Sequence, residues 1–239
     1  FILISLLPPI FMVNRGMLFT VFFACLFVFL LSIKSLSVRK ILYCIGGVGI
    51  ALYLFSVIGS TRIKDDEDST IFTSFTRPSE NFEALHISNM FLWPYMYIAS
   101  PLGNLQICIE DYTPENSFSG FILNCICPDF IAKHILDESG KELPQISPVF
   151  NVSTMYSMAY AKMGFLGMFM LYFAQAIYVY VIFLYSRPST NPYYTATVSL
   201  LCSVIILNIF SNMWVFSAIS FPIIWGPICY YLSRVKWLR

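Results

Sequence analysis

The groups able to move protons or hold charge are unevenly placed. All thirteen carboxylates and both histidines, His86 and His134, fall within residues 65–142 of a 239-residue chain. His134, His86 and Glu80 are the candidates for a base that would take a proton from a hydroxyl. His134 ranks first because it falls on a short predicted helix, the plainer alternative being a surface histidine. Arg15, Arg62 and Arg77 are cations at or just beyond the outer ends of apolar runs. A guanidinium stays charged at low dielectric and binds phosphate oxygens bidentately, so these three could grip a diphosphate at a membrane face. Anchoring in lipid headgroups is the competing explanation. It is least satisfying for Arg15, the only basic residue in its short turn. Lys162 is a fourth cation, about eight residues or roughly 12 Å into an apolar run, where it either snorkels to the interface or lines a wet cavity and attracts the same phosphate. Trp93, Tyr95 and Tyr97 could stack on sugar rings, although aromatic residues also favour the interface for its own sake.

The elements that must position these groups are apolar. The chain is 58% hydrophobic and 11% charged with a mean hydropathy of +0.72, against roughly 25% charged residues in an ordinary globular domain. Apolar runs cover residues 1–13, 17–33, 41–58, 155–185, 193–210 and 216–233, and most reach the roughly 17–20 residues a bilayer crossing needs. The first is short, contains Pro8 and Pro9 and opens on Phe1, so it is read as the tail of a helix belonging to a longer polytopic protein. The expected fold is an all-α polytopic membrane protein with about six transmembrane helices. Lys34, Arg39 and Lys40, then Arg187, then Arg234, Lys236 and Arg239 occupy alternate connections, which places those connections and the C-terminus in the cytoplasm. Residues 1–58 and 155–239 are then membrane helices, and residues 59–154 form one large external domain. The few, scattered basic residues exclude a nucleic-acid partner.

Within that external domain, residues 89–98 (NMFLWPYMYI) are apolar but too short to cross, and Pro94 interrupts them. They predict an interfacial or re-entrant helix pair. Pro128 followed by Asp129, Phe130, Ile131, Ile135 and Leu136 predicts a short amphipathic helix ending near Gly140, with Lys133 and Asp137 on its polar face. The surroundings of Pro78, Pro101, Pro114, Pro144 and Pro148 read as loop. Cys25, Cys44, Cys202 and Cys229 fall in spans as apolar fillers. Cys108, Cys125 and Cys127 are external, where structural thiols or one disulfide are expected before a metal site. No Asp, Glu or His lies in any span, which argues against an ion-driven pump and an intramembrane protease.

Three stretches carry a family resemblance. Tyr95-Met-Tyr97-Ile-Ala-Ser-Pro101-Leu-Gly103-Asn-Leu105 resembles the Tyr-rich segment in the long external loop of Wzy-type O-antigen polymerases, the oligosaccharide repeat-unit polymerases. Asn151-Val-Ser-Thr154 followed by Gly164-Phe-Leu-Gly167 resembles the passage from that loop into the next span, and the Arg15-Gly16 turn resembles a further family position. Where many relatives carry an acid shortly before the first glycine, this chain has Lys162-Met163.

The resemblance implies an enzyme of a bacterial inner membrane that joins lipid-linked repeat units into O-antigen or capsule. A sugar hydroxyl would attack the anomeric carbon of a glycan on undecaprenyl pyrophosphate, and the diphosphate lipid would leave, its charge stabilised by arginines without a metal or other cofactor. Asn151, with Trp93, Tyr95 and Tyr97, would hold glycan, and His134 or Glu80 would serve as base. A flippase and a chain-length regulator would be its protein partners. Two rivals stand beside this reading. A metal-dependent glycosyltransferase using a polyprenyl-phosphate sugar would use carboxylates such as Asp65, Asp66, Glu67 and Asp68. An exporter of lipid-linked glycan without chemistry would use the segment around Pro94 as a gate.

Overall fold

The structure, a computed structural model, describes residues 15–33, 35, 37–62, 79–80, 84, 89–135, 143–146, 150–185, 191 and 193–234. Every regular element among them is helical. Helix α1 (Arg15–Ser32) and α2 (Val38–Arg62) lead into α3 (Asn89–Asp111). A short α4 (Phe118–Phe121) runs directly into a π-helical turn (Ile122–Ile126) and is followed by α5 (Asp129–Ile135). Helices α6 (Met155–Tyr185), α7 (Tyr194–Leu207) and α8 (Ser217–Arg234) close the described chain. Helix α7 is central, with its most extensive packing against α1 and its next against α8. Gly226 of α8 makes that second contact close, since a Cβ there would fall 2.3 Å from the Thr197 hydroxyl of α7. Small residues at such a crossing let two helix backbones approach, the usual device where dispersion rather than hydrophobicity holds helices together.

Helix α3 corrects the expectation for residues 89–98. It is one continuous helix of 23 residues that passes through both Pro94 and Pro101, about 35 Å long at 1.5 Å per residue, instead of a re-entrant pair broken at Pro94. Pro101, expected in a loop, lies inside it and is fully buried. A proline forfeits one backbone hydrogen bond, and a well-packed helix tolerates that loss when its neighbours hold it on several sides. Ser100, Pro101, Asn104 and Cys108 supply the buried stripe at helical spacing. Asn104 in particular is fully buried and clamps the chain that precedes α6. Its amide nitrogen donates to the carbonyls of Phe150 at 2.6 Å and Val152 at 2.8 Å, and its oxygen accepts from the Ile146 N–H at 2.8 Å.

Helix α5 starts where Pro128 predicted it and is described to Ile135; Asp137 and Gly140 lie outside the described residues. Lys133 is exposed and sits 4.0 Å from Asp129. The same Asp129 carboxylate accepts from the backbone N–H and the hydroxyl of Ser217, capping the N-terminus of α8. The hydrogen bond from the Ser217 hydroxyl holds that carboxyl below its ordinary range.

Among the described residues, α6 is the one helix long and apolar enough to cross a membrane. Apolar stretches also occur in α1 (Phe19–Ser32) and α7 (Tyr194–Leu207), both shorter. Helix α6 is not straight, because Met163 and Gly164 leave helical geometry, with Gly164 at φ 61° and ψ −151°. A Cβ on Gly167 would fall 2.3 Å from the carbonyl oxygen of Ala159, eight residues earlier, whereas residues eight apart in a straight helix are separated by about 12 Å. The helix therefore folds sharply into α6a, residues 155–162, and α6b, residues 165–185. The glycine at 164 is required, because the backbone there occupies a region that other residues reach only with strain. The straight apolar run begins after Gly164, so Lys162 precedes it instead of lying about eight residues inside.

Candidate functional site

The fold of α6 leaves its inner carbonyls in need of partners, and the loop after α3 supplies them. The Glu115 N–H donates to the Ala161 carbonyl and the Ser117 N–H to the Lys162 carbonyl, both at 2.9 Å. A straight helix would commit those carbonyls to Phe165 and Leu166. Pro114 rests against Gly164, 3.5 Å from where a Cβ would be. Side chains complete the junction: Lys162 Nζ lies 2.7 Å from Glu115 Oε2, and the Tyr112 hydroxyl donates to Glu115 Oε1 at 2.8 Å. Burial, and then the hydrogen bond to Glu115, push the Tyr112 hydroxyl up to about 12, so it remains a donor at any physiological pH. Lys162 is thus neither snorkelling freely nor an open phosphate ligand in this arrangement.

Two cavities share walls at the start of α6. One is a cleft of about 390 Å3 that combines polar side chains, among them Asn124, Asn151, Ser153, Ser157 and Asn212, with apolar ones such as Leu143, Val152, Met158 and Phe210. The other is a groove of about 600 Å3 walled largely by apolar side chains of α3, both halves of α6 and α7, among them Leu102, Leu105, Tyr156, Val179 and Ile205. Thr154 and Met155 belong to both. An amide chain runs along the boundary. Asn208 donates to Gln175 Oε1 at 3.1 Å, Gln175 donates to Asn212 Oδ1 at 3.3 Å, and Asn212 donates to the Cys125 carbonyl at 2.8 Å, at the end of the π-helical turn. Asn208 also accepts from the Met213 N–H, and its carbonyl accepts from the Met155 N–H. These bonds fix the turn after α7 against both halves of α6. Trp214, standing perpendicular to Tyr178 with ring centroids 4.6 Å apart, separates the groove from a smaller cavity of about 260 Å3. Its indole N–H is buried and has no hydrogen-bond partner among the described residues.

Chemically, the polar groups among the described lining of the cleft are amides and hydroxyls, set among apolar side chains such as Leu143, Val152, Met158 and Phe210, with no carboxylate, imidazole or cation. Such a surface can exchange hydrogen bonds with a polyhydroxylated ligand, and the adjoining groove can accommodate a hydrocarbon chain.

Of the residues singled out by sequence, Asn151 lines the cleft. Tyr97 stands edge-on to Phe150, the residue before it, at 6.2 Å between centroids. Tyr95 is exposed on the same helix. Trp93 lies in α3 and Arg15 and Arg62 at ends of α1 and α2, but their side chains lie outside the described part of the structure, as do Arg77, His86 and residues 65–68 entirely. His134 and Glu80 are both exposed and line neither cavity. Cys108, Cys125 and Cys127 are free thiols. Burial raises Cys108, and it pushes Cys125 up to about 12, which keeps both protonated and unreactive.

No family model, curated protein or solved structure matches this chain. The polymerase resemblance therefore stands on the residues quoted for it. The structure gives two of those motifs local explanations: Gly164 and Gly167 permit the fold of α6, and Gly103 lies against Ile146, whose Cδ1 would be 2.4 Å from a Cβ.

Sequence reasoning passed over Gln175, Asn208, Asn212 and Trp214. A signal existed, since Gln175 is the one carboxamide in the apolar run of residues 155–185. A search confined to ionisable groups does not register it. Asn208 falls near the end of the apolar run of residues 193–210 and Asn212 just beyond it, where an asparagine looks like an ordinary helix-end or turn residue.

Proposed function

We propose that the chain is a polytopic protein of a bacterial inner membrane that polymerises lipid-linked oligosaccharide repeat units into O-antigen or capsule. In this reading about six helices cross the bilayer, the C-terminus is cytoplasmic, and residues 59–154 face outward. The observation that carries it is the adjacency, across shared walls at Thr154 and Met155, of a cleft bearing amide and hydroxyl groups and a more apolar groove. An oligosaccharide joined to a polyprenyl chain is a molecule with those two halves. The cleft would hold sugar through Asn151 and its neighbours, and the groove would hold the first isoprene units. Arg15, Arg62 and Arg77 are the candidates to neutralise the diphosphate as it departs. His134 or Glu80 would have to approach the cleft to act as a base.

One observation favours a second reading. The described cleft lining carries no group that titrates near neutral pH, which suits an exporter that binds lipid-linked glycan and moves it unchanged. Because α3 is continuous through Pro94, an exporter's gate would not be a helix break at that position.

Purified protein in proteoliposomes, supplied with lipid-linked repeat units, separates the two. A ladder of lengthened glycans that persists in chelator, and shortens in Asn151→Ala, supports polymerisation. Transfer of single units between leaflets with no lengthening would overturn it in favour of export, and lengthening that stops in chelator would favour the metal-dependent transferase.

A further inference from the structure

We infer that Lys162 and Glu115, joined by Tyr112, form a latch that sets the angle between the two halves of this site. The inference rests on the lipid-linked glycan reading for what is bound there. Its structural basis is the place of the bend in α6 relative to the two cavities. Ser157 and Met158 of α6a wall the cleft and Met155 and Tyr156 of α6a reach the groove, whereas α6b, through Tyr172, Gln175 and Val179, walls the groove and not the cleft. The joint between them is Met163 and Gly164. Whatever fixes that joint fixes how a polar head and an apolar tail are presented to each other.

Three kinds of contact converge on the joint from a single loop. Glu115 and Ser117 give their backbone N–H groups to the carbonyls of Ala161 and Lys162, Pro114 fills the space beside Gly164, and Glu115 pairs with Lys162. The ion pair is sheltered, the Lys162 side chain being 15% exposed and that of Glu115 33%. That loop leaves the C-terminal end of α3, which also walls the groove through Leu102 and Leu105. The latch thus ties one wall of the groove to the hinge that orients the other. Lys162 is in this account a positioning residue, acting on the ligand through the helix it holds.

Hydrogen exchange and ligand affinity test it together, in phospholipid nanodiscs with a polyprenyl-linked disaccharide as the probe. Lys162→Met and Glu115→Gln should each accelerate exchange in residues 112–120 and 160–167 by roughly tenfold, the effect of losing about one sheltered charged hydrogen bond. Exchange in α7 should stay unchanged, and the probe should bind several-fold more weakly. Lys162→Arg, and the double exchange Lys162→Glu with Glu115→Lys, should restore both readouts. Unaltered exchange in the single variants would overturn the latch. Wild-type binding that the single variants leave intact, despite faster exchange, would overturn its role in the site while leaving the glycan reading standing. A wild-type protein that does not take up the probe overturns the glycan reading itself, and with it the claim on binding.

Discussion

The two halves of α6 come from one apolar run yet live in different surroundings. In α6a, Ala159, Tyr160 and Ala161 are at most 7% exposed, enclosed by the loop after α3, the π-helical turn and the turn after α7. In α6b, Phe165, Phe169, Ile177 and Tyr180 are each at least 60% exposed on the protein. Composition already differs between the halves, α6a carrying Tyr156, Ser157, Tyr160 and Lys162 while α6b carries no charge, but hydropathy measures only whether a side chain leaves water and is blind to what replaces the water. Protein covers the first half, and the second presents a face suited to lipid. The boundary between them is marked by Lys162, Gly164 and Gly167.

The largest disruption should follow from forcing the halves into one straight helix. Gly164→Ala and Gly167→Ala each place a methyl where backbone conformation or the Ala159 carbonyl forbids it, and each should cost about 3 kcal/mol or more, read as a loss of folded, monodisperse protein in detergent. Next, Asn104→Ala strips the clamp in front of α6a, leaving the Ile146 N–H and the Phe150 and Val152 carbonyls short of a partner. A loss of about 2–3 kcal/mol is expected in thermal unfolding, with faster exchange in residues 150–160. Gln175→Leu tests the one polar point of α6b. It removes both bonds to Asn208 and Asn212, and should cost about 1–2 kcal/mol while weakening ligand binding, since both bonds edge the groove. Phe169→Leu, on the exposed face of α6b, should change stability by less than about 0.5 kcal/mol. A loss there as large as that from Asn104→Ala would show that a further helix covers that face.

Much of the helical framework was legible. Runs of hydrocarbon the length of a crossing can satisfy their backbone only as helices, and the predicted runs at residues 17–33, 41–58, 155–185, 193–210 and 216–233 coincide within a few residues with α1, α2, α6, α7 and α8. Residues 89–98 were misread because a proline was weighed by its local cost alone. Around Pro101 the surrounding packing outweighs that cost, and no local signal reveals it. Asn151 was identifiable as a site residue through the motif it opens. The pairing of Lys162 was not, because Glu115 lies forty-seven positions away and reaches it only through the docking of a loop.

By itself the sequence determined an all-helical, strongly apolar chain with its acidic groups gathered in one block, since composition and run length bear directly on the water-or-hydrocarbon partition of each segment. It also held the glycines that α6 requires, without saying where the helix would bend. Only the tertiary structure decided that Lys162 answers to Glu115, that Gln175 joins Asn208 and Asn212, and that a cleft and an apolar groove share Thr154 and Met155 as walls. These are contacts between distant segments. Their partners are chosen when helices pack and loops dock, a step governed by shape and by the need to satisfy every buried polar group.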